Sequence, residues 1–136
     1  MNPLRGRCAC GQLRYEVASA PLQVVACHCD LCKRMSGGPF SVYVVVREKD
    51  FRLAAGETSR YQATDRTAKH FCASCGTPVF NANPATYKGL AMLYLGTTED
   101  PGRYEPRMNI FCESKLEWVT PNAGSQLFSR SPGEGS

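Results

Sequence analysis

Six consecutive residues, Cys27-His28-Cys29-Asp30-Leu31-Cys32, carry three thiols. Cysteines this crowded do not suit ordinary core packing. Cys29 belongs to both a C-x-C and a C-x-x-C spacing, so one tight loop can aim three sulfurs at one point. A tetrahedral zinc ion takes four ligands, with sulfur at about 2.3 Å. Three local thiolates leave one position. If the protein fills it, the site is structural; if water or substrate fills it, the site is open to chemistry.

The chain has 136 residues and eight cysteines. That length fits one domain, and we read residues 1–128 as a single zinc-binding β domain and 129–136 as a disordered tail. Eight cysteines in a secreted chain would suggest disulfides. The first residues carry no apolar signal-peptide core, and no apolar run approaches the roughly 18 residues of a membrane span. A cytoplasmic protein without membrane association is therefore expected, with reduced thiols whose spacing points to metal. The formal charge is +4, but seven metal-bound thiolates and two zinc ions would bring it to about +1. A nucleic-acid partner, which needs a concentrated basic face, is not expected.

The pattern along the chain is mainly β. Leu13, Tyr15 and Val17 alternate with Arg14 and Glu16, as in a half-buried strand. Leu22 to Ala26 is a short apolar lead into the three-thiol loop. Lys33 to Pro39 reads as a helical turn running into a glycine loop. Phe40 to Val46 is nearly continuous in β-prone apolar residues and reads as a central strand. Phe51 to Leu53, Thr58 to Gln62 and Leu90 to Leu95 read as further strands, and Ala63 to Lys69 as a loop. Met108 to Cys112 and Leu116 to Val119 are read as a final pair.

Cys8-x-Cys10 and Cys72-x-x-Cys75 are two pairs far apart in sequence that add up to one closed four-thiolate site. The competing arrangement joins Cys72 and Cys75 to Cys27 and Cys29. Cys112 either closes a second site with Cys27, Cys29 and Cys32, or is a small buried hydrophobe that leaves them open. His28, cramped between two sulfurs, suits a supporting or proton-transfer role better than ligation. A loop-stabilising histidine is the plain alternative.

These motifs together resemble the family of glutathione-dependent formaldehyde-activating enzymes, which also includes centromere protein V. The matching features are Gly6-x-Cys8-x-Cys10-Gly11, Cys27-His28-Cys29-x-x-Cys32 with Ser36-Gly37-x-Pro39-Phe40, and Phe71-Cys72-x-x-Cys75-Gly76. The resemblance implies a β-tent fold of short antiparallel sheets, with a structural zinc on Cys8, Cys10, Cys72 and Cys75. It implies a second zinc on Cys27, Cys29 and Cys32, open to substrate. Asn109 stands where the family often carries histidine, and Cys112 where no cysteine is expected.

The resulting expectation is a carbon–sulfur lyase or synthase handling a small thiol such as glutathione and a small aldehyde such as formaldehyde. Cys27, Cys29, Cys32 and His28 would form the catalytic group. Lys33 and Arg34, with the amides around Gly37 and Gly38, would meet the thiol's carboxylates; a solvated basic turn is the alternative. The rival reading is a non-catalytic zinc module for a protein or small-molecule partner.

Overall fold

The computed structural model of the chain describes residues 3–131. The small sheet is built from β1 (Leu4–Arg7), β2 (Arg14–Val17) and β5 (Phe51–Ala55), in the order β1-β2-β5. The large one contains β3 (Gln23–Cys27), β4 (Ser41–Arg47), β6 (Thr58–Gln62), β7 (Ala68–Cys72) and β8 (Pro78–Ala82). It is completed by β9 (Leu90–Tyr94), β10 (Met108–Ile110) and β11 (Gln126–Leu127). Its order is β11-β10-β3-β4-β9-β8-β7-β6. One short helix, α1 (Asp30–Ser36), follows β3 and ends at Gly37, whose φ of 77° is a left-handed cap. No helix among the described residues is long and apolar enough to cross a membrane.

The mainly β class is as expected, and β4 is central, between β3 and β9. Its apolar run is continuous because both faces of the sheet are covered. Val44 and Val46 face the main core with Leu93, Ala91 and Val79, where the small sheet packs through Leu4, Leu13, Tyr15 and Val17. Tyr43 belongs to a second cluster on the other side, with Cys27, Cys32, Met35 and Tyr94.

The strand β1 does not show in the residue pattern. Its inward positions are Leu4 and Gly6, and glycine offers no apolar signal. Glycine is required there, since a Cβ would lie 2.2 Å from the Tyr15 ring and 2.4 Å from the Thr97 carbonyl oxygen. Tyr15 reaches across to the Thr97 hydroxyl at 2.8 Å.

Three expectations need correction. The sheets are not wholly antiparallel: β10 runs parallel to both β3 and β11. Each of these pairings follows a connection of a dozen residues or more, the length a parallel crossover needs. Leu116 to Val119 does not form a strand, because the Lys115 ammonium donates to the carbonyls of Leu116 and Val119 at 3.0 and 2.8 Å and holds them in a turn. Ser129 to Ser131, expected in a disordered tail, are held in place: Ser129 and Arg130 accept backbone bonds from Glu113 and Phe111, and Ser131 is buried. Residues 132–136 lie outside the described residues.

Leu93 is fully buried where the two sheets meet. Leu93→Ala should lower unfolding stability in urea by about 2–5 kcal/mol. A loss below about 1 kcal/mol would contradict that placement.

Candidate metal centres and the cavity beside them

The first and third cysteine motifs fold as two similar knuckles. Gly11 N donates to Cys8 O and Gly76 N to Cys72 O, each closing a turn at 3.1 and 2.9 Å. Both glycines have a φ near 80° (79° and 80°), the left-handed backbone that glycine adopts without strain. Amides point at the sulfurs: Leu13 N lies 3.3 Å from Cys8 Sγ, and Ser74 N 3.4 Å from Cys72 Sγ. Thr77 ties the knuckles together, accepting from Ala9 N at 3.0 Å and standing 3.1 Å from Cys75 Sγ. These contacts, the Thr77 hydroxyl first, pull the Cys75 thiol down to about 5.

The four sulfurs of Cys8, Cys10, Cys72 and Cys75 lie within 4.8 Å of one another. Neighbours such as Cys8–Cys10 and Cys10–Cys72 stand 3.5 and 3.9 Å apart. A tetrahedron of sulfurs about 2.3 Å from a zinc ion has edges of roughly 3.8 Å. The set therefore fits zinc in both chemistry and size, and the swapped pairing with Cys27 and Cys29 is not the one formed.

The second cluster joins Cys27, Cys29 and Cys32, again with all sulfurs within 4.8 Å. Cys27 ends β3, and Cys29 caps α1 by accepting from Cys32 N at 3.2 Å. The sulfur of Cys27 is 3.5 Å from that of Cys29 and 3.2 Å from that of Cys32. Bonds from the Cys27 and Cys32 thiols hold Cys29 down to about 3, so it is the natural thiolate of the three. The same bonds push Cys27 up. Three soft donors at these distances suit a zinc ion with one position left over.

Cys112 does not close this cluster. It begins a 3-10 turn, half-buried, with its Sγ 3.6 Å from Asn109 O. A cavity of about 460 Å³ opens beside the three thiols instead, and all three cysteines stand on its lining. Tyr43 lies there too, donating to Cys32 Sγ at 3.1 Å. Asn81 Nδ2 donates to the Tyr43 hydroxyl at 3.1 Å, and the Tyr94 hydroxyl donates to Asn81 Oδ1 at 3.0 Å. This polar chain orients the sulfur end of the cavity, and sequence reasoning missed it. Its one signal was a polar residue, Asn81, inside an otherwise apolar strand.

A family model described as glutathione-dependent formaldehyde-activating enzyme matches residues 3–114. The chain belongs to that family. A Halomonas elongata relative with the provisional name of glutathione-dependent formaldehyde-activating enzyme is 27% identical over 124 residues, covering 85% of this chain and 79% of its own. Similarly named proteins of Colletotrichum graminicola and Penicillium rubens are 26% and 27% identical. Those two alignments cover 79% and 86% of this chain and 63% and 68% of theirs. A crystal structure of a Rhodobacter sphaeroides protein shares the fold, with a TM-score of 0.58 at 19% identity over 91% of this chain and 98% of that one.

The remaining expected site residues of this family member lie elsewhere. His28 is buried, absent from the cavity lining, and its Nε2 is 3.0 Å from Asn109 Oδ1. Burial lowers its pKa, keeping the ring neutral, and its Nδ1 has no partner among the described residues. It packs on Phe40 with ring centroids 5.1 Å apart. Lys33, Arg34, Gly37 and Gly38 line a different, shallow concavity with Asp30, where no cysteine stands. Lys33 is already engaged by Asp30 at 3.1 Å and by Ser114 O at 2.6 Å.

This geometry sets a metal count. Purified protein should carry two zinc ions per chain by elemental analysis, and Cys112→Ala should retain both while losing only about 1 kcal/mol of stability. Cys72→Ser should lose one ion and much of the stability, because metal binding of a structural site is folding free energy. Loss of an ion in Cys112→Ala would make Cys112 a ligand.

Proposed function

We propose that the protein is a zinc-dependent carbon–sulfur lyase or synthase that combines a small thiol, glutathione-like, with an aldehyde such as formaldehyde. The observation that carries this reading is the convergence of three thiols on a cavity that the remaining nearby cysteine does not close. Family membership and the names of the relatives support it. Cys8, Cys10, Cys72 and Cys75 would hold one zinc structurally, and Cys27, Cys29 and Cys32 the other. A zinc ion there supplies a positive charge that favours a substrate thiol as its thiolate, the nucleophilic form. A cytoplasmic location fits this chemistry, since thiols stay reduced there.

In the synthetic direction the thiol sulfur forms a bond to the carbonyl carbon. The carbon–oxygen π bond breaks, and the thiol proton ends on the new hydroxyl, so nothing is oxidised or reduced. The chain's own contribution is positioning. Tyr43 holds Cys32, and Asn81 and Tyr94 hold Tyr43. Apolar side chains including Leu31, Met35, Ile110 and Phe111 line the space around the sulfurs and limit water there. A fixed geometry of this kind is where most of the rate advantage of a two-reactant addition comes from.

Glutathione and formaldehyde combine readily without help, so the informative assay is exchange at equilibrium, followed by magnetisation transfer. Zinc-loaded protein should accelerate exchange for at least one pair in a panel of thiols and aldehydes. Cys29→Ser should abolish that acceleration while leaving the fold intact. Absence of any acceleration across the panel would favour a zinc module that binds without catalysis.

A further inference from the structure

Register within the large sheet gives the cavity a direction. Cys27 sits opposite Ser41 at the start of β4, and Leu90 opposite Arg47 at its end. Those two rows lie six residues apart along β4. The three thiols occupy the first end. Toward the second end lie Arg66, Thr67, Asn83, Thr86 and Tyr87, all on the cavity lining. Between them the strands present Val25, Val45, Met92 and Met108, an apolar wall.

Arg66 is the only charged residue on that lining among the described residues. Its Nη1 donates to the Thr86 hydroxyl at 3.2 Å, and Thr86 N in turn donates to Asn83 Oδ1 at 3.0 Å. No carboxylate lies within ion-pair distance of Arg66 among the described residues. The cavity thus has a sulfur-binding end, an apolar middle and a single cationic group at the far end.

We propose that the thiol this cavity selects is amphipathic: an apolar body with one terminal anionic group, its sulfur toward Cys27, Cys29 and Cys32 and its anion on Arg66. This rests on the thiol–aldehyde reading above but replaces its glutathione-like thiol with a different class. Glutathione carries two carboxylates, an ammonium and two peptide groups. Laid along this wall, most of them would lose water without gaining a partner. A methylene chain loses nothing there, and each buried methylene adds roughly fourfold in affinity. One carboxylate then meets one guanidinium, a pairing for which arginine's planar fork is well suited.

The test is calorimetric titration of the zinc-loaded full chain with four probes: 8-mercaptooctanoate, 8-mercapto-1-octanol, glutathione and octanoate. We expect 8-mercaptooctanoate to bind at least tenfold more tightly than glutathione. Replacing its carboxylate by the hydroxyl, or making Arg66→Ala, should weaken binding about 5- to 10-fold, as for a partly exposed charged hydrogen bond. The change on the probe needs no altered protein, so a folding defect in Arg66→Ala cannot mimic it. Glutathione binding as tight as that of 8-mercaptooctanoate, or indifference to both changes, would overturn the proposal. Octanoate separates the two failures. If it binds as well as 8-mercaptooctanoate, with the same dependence on Arg66, the sulfur end and the thiol reaction fail while the preference for an apolar anion stands.

Discussion

Sulfurs packed 3.2 to 3.9 Å apart cannot all carry negative charge unless a cation shares them. Both clusters are packed this closely, with sulfurs within 4.8 Å of one another, and the fold is arranged around them. The four-sulfur cluster joins the turn between β1 and β2 to the turn between β7 and β8, so it ties the small sheet to the large one. A β domain of short strands with a modest core gains from such a link, which in small zinc domains is worth on the order of 10 kcal/mol. The three-sulfur cluster is held differently. It sits at the end of β3 and the start of α1, on the side of the sheet away from the small sheet. Emptying it would leave the link between the sheets in place, so the two clusters bear differently on the fold.

The large sheet separates the two roles. Along β4, Val44 and Val46 look into the main core while Tyr43 and Val45 look into the cavity. A strand with dry faces on both sides has few places for a polar atom. Tyr43, Asn81 and Tyr94 satisfy one another across three strands, and the Tyr43 hydroxyl donates a hydrogen bond to Cys32 Sγ. Burial pushes the Tyr94 hydroxyl up to about 12 and Tyr43 higher still, so both stay protonated donors. The buried chain therefore has a definite polarity, donors directed toward sulfur, and Tyr43 and Asn81 form part of the cavity wall.

What could be read from residues alone was what is local. Each cysteine knuckle is a spacing plus a glycine, and each folds much as its spacing suggests. β4 and β9 announced themselves by apolar run. The cavity did not, because its lining is gathered from β3, α1, β4, β8, β9, β10 and several loops that only the fold brings together. Lys33 and Arg34, which follow Cys32 in the chain, line a different concavity. In a helix each residue turns by about 100°, so Lys33 and Arg34 turn away from Cys32, while Met35, three residues on, shares its face. Met35 lines the cavity; Lys33 and Arg34 do not.

That Cys112 stands apart from the three-thiol cluster depends on the backbone of one residue. β10 lies parallel to β3 with Ile110 beside Cys27, and Met108 and Ile110 both face the cavity. Asn109, between them, faces the other way and binds His28. Side chains on a strand alternate, so had β10 continued, Cys112 would have followed Met108 and Ile110 onto the face that carries the thiols. It does not, because Phe111 has a φ of 55°, the left-handed region that costs a residue with a side chain roughly 1–2 kcal/mol. That turn ends the strand, sends Cys112 into a 3-10 turn, and leaves its sulfur against Asn109 O. Phe111 itself then lines the cavity. The neighbouring bonds hold it there: Phe111 N donates to Arg130 O, Cys112 N to Phe128 O, and His28 N to Ile110 O. A strained turn braced on both sides thus keeps an eighth cysteine away from three others that, by strand alternation alone, it would have joined.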